Sequence, residues 1–428
     1  MNMAPPPTSG ELQALLLDAR ERTLALTLDL DDQQLFGPRL DIVNPVLWEF
    51  GHLAWFQEYW CLRRDASPSI LPDADQLYNS ATVAHETRWD LPVPDRAATL
   101  QYMQNVLERV AEKLERCEDE EALSYFAQLA IFHEDMHGEA FAYTRQTLAY
   151  SRPQIFIAPA EALSTMAPTG DANIAGGAFF KGAAPDSGFV FDNEKWGHEV
   201  FIEPFQIARV AVTNEEFSEF VDAGGYQQQR FWSQAGWEWR THAAADAPVY
   251  WIKQAQGWMQ REYDQLLPLK PHNPVMHVNW HEAQAYCEWA ERRLPTEAEW
   301  EMAAADDAQK KRHYPWGDHV ATSRHANLDG WLGGSIDVSA LPHGDSAHGC
   351  RQMLGNVWEW TADTFHPYPG FIIDPYQEYS QPWFGTHKVL RGGCFATRAR
   401  LLRNTWRNFY TPDRRDIFAG FRTCAKTR

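Results

Sequence analysis

The 428-residue chain lacks any stretch approaching the roughly 18 uninterrupted apolar residues that a membrane-spanning helix requires, so no membrane partner is expected. Its first residues, MNMAPPPTSG, have neither the basic nor the apolar region of a secretory signal and read as a frayed tail. No two of its six cysteines (Cys61, Cys117, Cys287, Cys350, Cys394 and Cys424) form a C-x-x-C pair, which fits a reduced, cytoplasmic protein better than a disulfide scaffold. No basic run offsets the formal net charge of −20, and this argues against nucleic acid as a partner. What the chain does have is 44% hydrophobic and 22% charged residues, the balance of a soluble globular protein. It also has 19 Trp, which either pin cores and loops or offer aromatic faces to a cation.

The length is too great for one ordinary core, and two domains with different grammar are legible. Residues 1–150 read as a four-helix bundle. SGELQALLLDARERTLALTL has Ser9 as its N-cap, and NPVLWEFGHLAWFQEYWCLRR opens on Asn44 and Pro45, a cap followed by proline. DRAATLQYMQNVLERVAEKLER places Leu100, Met103, Leu107, Val110 and Leu114 at alternating spacings of three and four, and EEALSYFAQLAIFHEDMHGEAFAYTRQTLAY is a long fourth helix. Residues 151–171 read as a linker. Residues 172–428 are rich in Gly, Pro and Trp and short of long periodic runs. Only brief helices announce themselves there, each by a capping box: Thr213 to Glu216, Asn279 to Glu282, and Thr296 to Glu299. The fold class is therefore α+β.

Within IFHEDMHGE, residues 133–137 are a literal H-E-x-x-H, the signature of zinc proteases. On that helix Phe126, Ala130, His133, His137, Phe141 and Thr144 follow spacings of 4, 3, 4, 4 and 3, so both histidines lie on the apolar stripe. On the second helix Trp48, His52, Trp55, Tyr59 and Leu62 follow 4, 3, 4 and 3, which turns His52 inward as well. A lone inward histidine is usually a hydrogen-bonded core residue, but an i, i+4 pair with a third on a facing helix points to a metal. Three neutral imidazoles suit iron and oxygen chemistry as well as zinc hydrolysis. The protease reading is weakened because no His stands six residues after His137 and the third histidine lies upstream on another helix.

The second half contains, in order, GGAFFKGA, FDNEKWGHEVFIEPFQIARVAVTNEEFSEFV, PVMHVNWHEAQAYCEWAERRLPTEAEWEMAA, YPWGD, MLGNVWEWTAD, KVLRGGCFAT and FAGFRT. These resemble the formylglycine-generating-enzyme domain, a C-type-lectin-like fold. That enzyme carries a copper-binding cysteine pair near its C-terminus, whereas RARLLRNTWRNFYTPDRRDIFAGFR has no cysteine, so formylglycine formation is not expected. A DinB-like bundle ahead of such a domain resembles the ergothioneine-type sulfoxide synthases, non-haem iron(II) enzymes that use dioxygen to join a sulfur donor to the imidazole C2 of hercynine. The resemblance makes His52, His133 and His137 the metal ligands. In DPYQEYSQPWF it implies that Tyr376 is the proton-donating tyrosine with Tyr379 beside it. In WRNFY it gives Asn408 and Phe409 to the betaine's carboxylate and quaternary ammonium, and in HETRWDLPVP it gives Arg88 to the carboxylate of the thiol substrate.

The chain departs from the actinobacterial sulfoxide synthases at two substrate positions. Met136 stands where they place a Gln that reaches hercynine. Tyr410 stands where they place an Asp that recognises the amine of γ-glutamylcysteine. The texture of LFGPRLDIVNPVLWEFGHLAWFQEYW and FHEDMHGEAFAYTRQTL is most similar to the selenoneine synthase branch, which joins hercynine to a selenosugar. A sugar has no ammonium for an acidic residue to bind, and aromatic rings suit its face. The expectation is an iron(II)- and O2-dependent selenoneine synthase. The alternatives are a sulfoxide synthase using cysteine or γ-glutamylcysteine, a low-molecular-weight thiol, or a non-catalytic betaine-binding module. Cys394, where the family often has Ser, reads as a packed thiol.

Overall fold

The computed structural model describes residues 6–64, 67–116, 121–156, 166, 168–306 and 310–426. The first five residues of the tail, Cys117, and residues 157–165 and 167 of the expected linker lie outside the described residues. The chain divides into two compact units, Met1–Leu148 with Pro153–Ile155, and Ala149–Arg152 with Phe156–Arg428.

The first unit is helical: α1 (Ser9–Ala25), α2 (Asp32–Phe36), α3 (Val46–Leu62), α4 (Ala74–Tyr78), α5 (Arg96–Arg116) and α6 (Glu121–Thr147). The four long helices form the bundle, with α1 and α3 each packed on α5 and α6. Two expected caps are corrected. Thr8, not Ser9, caps α1, because its hydroxyl accepts from Glu11 N while the Glu11 carboxylate returns the bond. The residue in the same relation to Ser9 is Leu12, which has nothing to return. Pro45, not Asn44, stands at the cap of α3, and the Asn44 side chain is engaged with Glu49 and Arg88 instead.

The apolar stripes mostly face inward. Met103, Leu107, Val110 and Leu114 are buried on α5, and Phe126, Ala130, His133, Phe141 and Thr144 on α6. On α3, Trp48, His52 and Trp55 are buried, but Tyr59 is 41% exposed. Tyr59 lies in the last turn of its helix, stacked on Trp55 with the Arg63 guanidinium over its ring. One buried ion pair ties the bundle together. Arg20 donates to both oxygens of Glu134 (2.8 and 3.2 Å), to Met103 O (2.7 Å) and to Gln57 Oε1 (2.9 Å). Held by a carboxylate, a backbone carbonyl and an amide oxygen, the guanidinium tolerates burial.

The second unit alternates short strands and short helices: β1 (Asp171–Ile174), β2 (Gly177–Lys181), β3 (His198–Ile202), β4 (Phe205–Ala208), α7 (Asn214–Asp222), α8 (Gln234–His242), β5 (Trp251–Gln254), β6 (Gly257–Glu262), β7 (Gln265–Pro268), α9 (Trp280–Trp289), β8 (Arg292–Arg293), α10 (Glu297–Ala305), β9 (Trp358–Thr364), β10 (Lys388–Arg391), β11 (Asn408–Tyr410), β12 (Ala419–Gly420) and β13 (Cys424–Ala425). They make two four-stranded sheets, ordered β1-β4-β13-β8 and β11-β10-β9-β12, the two-stranded β2-β3 and the three-stranded β5-β6-β7. Three capping boxes open α7, α9 and α10, at the positions the sequence marks.

Strands this short bury little apolar surface each, and buried charges knit the irregular segments together. Glu297 accepts from Arg391, Arg407, Lys181 and the Tyr368 hydroxyl. Burial alone would raise its pKa, but Arg407, Lys181 and Arg391 outweigh that and hold it well below the usual carboxylate range. Trp300, Trp358 and Trp360 are fully buried, so much of the tryptophan serves packing. No helix among the described residues is long and apolar enough to cross a membrane.

Candidate metal centre and active site

His52 on α3 and His133 and His137 on α6 converge, with one ligand atom from each lying within 4.8 Å of the others. Among the described residues this is the one group of three or more His, Cys, Asp or Glu side chains placed to hold an ion. Each ring is fixed from behind. His52 Nδ1 lies 2.8 Å from Tyr78 O, and a carbonyl only accepts, so the proton sits on Nδ1 and Nε2 is free as a ligand. His133 lies face to face with Phe56, ring centroids 3.6 Å apart. His137 Nδ1 faces Glu49 Oε2 at 3.3 Å, which likewise leaves Nε2 free.

Burial, then the neighbouring His137, lowers the His52 pKa to about 3. The same two causes, with His52 added, hold His133 well below its ordinary value. Both imidazoles are therefore neutral near pH 7, the form in which nitrogen donates to a metal. The two neutral imidazoles and the Nε2 of His137, on two helices, fit a divalent ion such as iron(II) that keeps open positions.

Glu134, the general base of the H-E-x-x-H reading, is not in this group. Both of its oxygens are engaged by Arg20 on α1 and it stands outside the three-histidine group, so the zinc-protease reading is set aside. Met136, one residue before the second ligand of α6, is half-buried. Arg88 is also half-buried. Its guanidinium lies over the Trp48 ring at 4.0 Å, and that ring is stacked on His52. Arg88 makes no ion pair among the described residues, and its buried Nε has no hydrogen-bond partner. The sequence reading missed Glu49, Asn44 and Tyr78. The available signal for Glu49 was its position three residues before His52, one turn away on the same face of α3.

In the second unit Tyr376, Tyr379 and Phe409 come together. Tyr379 lies 6.0 Å from Tyr376 and 5.8 Å from Phe409 between ring centroids, and it stacks on Phe191 at 4.2 Å. Phe409 in turn stacks on Phe365 at 4.0 Å. The loop carrying the tyrosines is pinned by the Ser380 hydroxyl donating to Asp192 and by Lys195 donating to Asp374 at 2.8 and 2.6 Å. Asn408, Phe409 and Tyr410 form β11, paired with Leu390, Val389 and Lys388 of β10. Burial, then Glu378, pushes the Tyr376 phenol above its usual range, and burial does the same for Tyr379. Both remain protonated donors at neutral pH. Cys394 is a buried thiol bonded to Thr397, as a packed residue would be.

Residues 15–141 match the DinB superfamily, and residues 160–427 match the sulfatase-modifying factor enzyme 1-like domain. The class is thus a DinB bundle with a three-histidine centre followed by a formylglycine-generating-enzyme-type domain. The chain is 38% identical to the hercynine oxygenase of Mycolicibacterium thermoresistibile, over 97% of this chain and 95% of that protein. It is 37% identical to the hercynine oxygenase of Mycobacterium tuberculosis, over 96% of this chain and 98% of the relative. The chain belongs to the hercynine oxygenase family. The formylglycine-generating enzyme of Streptomyces coelicolor is 33% identical over 65% of this chain.

Proposed function

We propose that this protein is an iron(II)- and dioxygen-dependent oxidoreductase that joins a selenosugar to the imidazole C2 of hercynine. The observation that carries the metal and oxygen part is the convergence of His52, His133 and His137 in a chain that matches hercynine oxygenases end to end. Iron(II), when bound, supplies the oxygen chemistry that bond formation at an unactivated C2–H needs. In the overall change C2–H and Se–H bonds are lost, a C–Se bond forms, and two protons with two electrons pass to dioxygen, which leaves as hydrogen peroxide.

The protein's own groups orient and protonate. Tyr376, kept neutral by burial, delivers a proton at its phenol, and Tyr379 holds its position. Phe409 offers its ring to the quaternary ammonium, and Asn408 serves the betaine's carboxylate. Tyr410 suits the face of a sugar and offers no carboxylate to the amine of γ-glutamylcysteine.

A second reading, a thiol donor such as cysteine or γ-glutamylcysteine, is favoured by Arg88. A half-buried guanidinium without an ion pair suits a carboxylate that such donors carry. The test is a competition in air. Iron-loaded protein receives hercynine with equal selenoglucose, γ-glutamylcysteine and cysteine, and the adducts are read by mass spectrometry. A dominant selenium adduct supports the first reading, and a sulfoxide adduct supports the second. Absence of any hercynine adduct would overturn both.

A further inference from the structure

The geometry points to Glu49 as a positioning residue for the metal ligand His137, with Asn44 as the strut that fixes Glu49 and ties it to Arg88. The inference rests on the reading that the three histidines hold a metal. Glu49 is buried on α3 one turn before His52, so a single turn supplies one ligand and the support of another. The Asn44 amide nitrogen donates to Glu49 Oε1 at 2.9 Å, which leaves Oε2 facing His137 Nδ1 at 3.3 Å. The other end of the same amide, Asn44 Oδ1, accepts from Arg88 Nη1 at 2.7 Å. Arg88 is otherwise held by Val83 O at 3.3 Å and by the Trp48 ring.

The chain Arg88–Asn44–Glu49–His137 gives each group one role. Asn44 can satisfy both neighbours only in one orientation, because its nitrogen donates and its oxygen accepts. Glu49, turned by that amide, can only accept from His137. It therefore fixes the tautomer and the ring angle and makes Nε2 a stronger donor to the ion. Placing Asn44 here also accounts for its absence from the cap of α3.

The test uses the full-length protein without iron and titrates it with cobalt(II), whose visible absorption reports its own coordination. Glu49→Gln keeps the shape and an acceptor oxygen but removes the charge. It is expected to weaken cobalt(II) binding ~10- to 100-fold and to alter the absorption bands, as loss of an outer carboxylate does elsewhere. The melting midpoint of the metal-free variant should match wild type, and Glu49→Asp should restore part of the affinity. Asn44→Ala should weaken binding in the same direction by a smaller factor. Wild-type affinity and spectrum in Glu49→Gln would overturn the inference. So would a loss of affinity that merely follows a lower metal-free melting midpoint. Wild-type protein that takes up no cobalt(II) overturns the three-histidine reading itself, and the inference with it.

Discussion

The ring of Tyr78 occupies the space that a Cβ on Gly51 would need, with its Cε1 and Cζ 2.1 Å from that position. The same residue gives its backbone carbonyl to His52 Nδ1. The bare backbone of Gly51 thus lets α4 end close enough to α3 to hold a metal ligand by its ring nitrogen. Gly51→Ala must move Tyr78, an overpacking that costs about 1–3 kcal/mol. The displaced carbonyl should also loosen His52. The expected outcome is a lower melting midpoint together with cobalt(II) affinity reduced by roughly 10-fold or more. A variant that melts lower but binds metal as wild type does would show that the Tyr78 carbonyl is dispensable to His52.

Metal binding to the folded state alone must stabilise it. At a free ion concentration about 100 times Kd the gain is ~2.7 kcal/mol, which raises the bundle's midpoint by roughly 5–10 °C. Iron(II) or cobalt(II) added anaerobically should produce that rise in wild type, and a chelator should reverse it. His133→Ala, His137→Ala and His52→Ala should each show no rise. The comparison is made within each variant, with and without metal, because His133 also packs on Phe56 and its loss lowers the baseline. Equal metal-induced rises in wild type and all three variants would place the ion elsewhere.

These two predictions rest on residues that were unequally legible. The three histidines could be read from the sequence because helical phase alone sets which side chains share a face. Their supports could not. Tyr78 acts through a carbonyl, which every residue possesses, and Asn44 looks like a cap because Asn before Pro usually is one. Tyr59 fits the stripe by phase yet emerges into solvent, since phase fixes direction and says nothing about where the bundle ends. In the second unit the capping boxes were legible because each is local to four residues. The sheets were not: β1, β4, β13 and β8 are two to four residues long, and the sheet brings Asp171 and Ala425 into one structure across most of the unit. No periodicity survives in segments that short.

Replacing Tyr376 by Phe removes one hydroxyl and leaves the ring beside Tyr379. If that hydroxyl supplies the proton, kcat should fall on the order of 10²- to 10⁴-fold, while the metal-induced melting rise and the affinity for hercynine stay as in wild type. Steady-state kinetics and calorimetric hercynine titration separate the two effects. A raised KM with kcat intact would recast Tyr376 as part of the binding surface.

His277 supplies a pH dependence independent of the metal. Its ring is buried between Tyr250 and Phe418, and Nδ1 has no hydrogen-bond partner. Burial, then Arg261, lowers its pKa to about 3 from an ordinary 6.5. The unfolded chain therefore takes up a proton near pH 6.5 that the folded protein refuses until about pH 3. The sign follows: this contribution to stability is complete above pH 6.5 and is lost as the pH falls toward 3, by up to ~1.4 kcal/mol per pH unit. His277→Asn removes the titration and suits the backbone, since φ is +63° there and Asn tolerates that region. Urea unfolding of the metal-free proteins, followed through the second unit, should find the variant less stable than wild type at pH 7.5. The difference should narrow, or reverse, by pH 4.5. The bundle histidines titrate identically in both proteins and cancel from the difference, so a gap that stays constant across this range would mean that His277 takes up its proton at the same pH in the fold as in the unfolded chain.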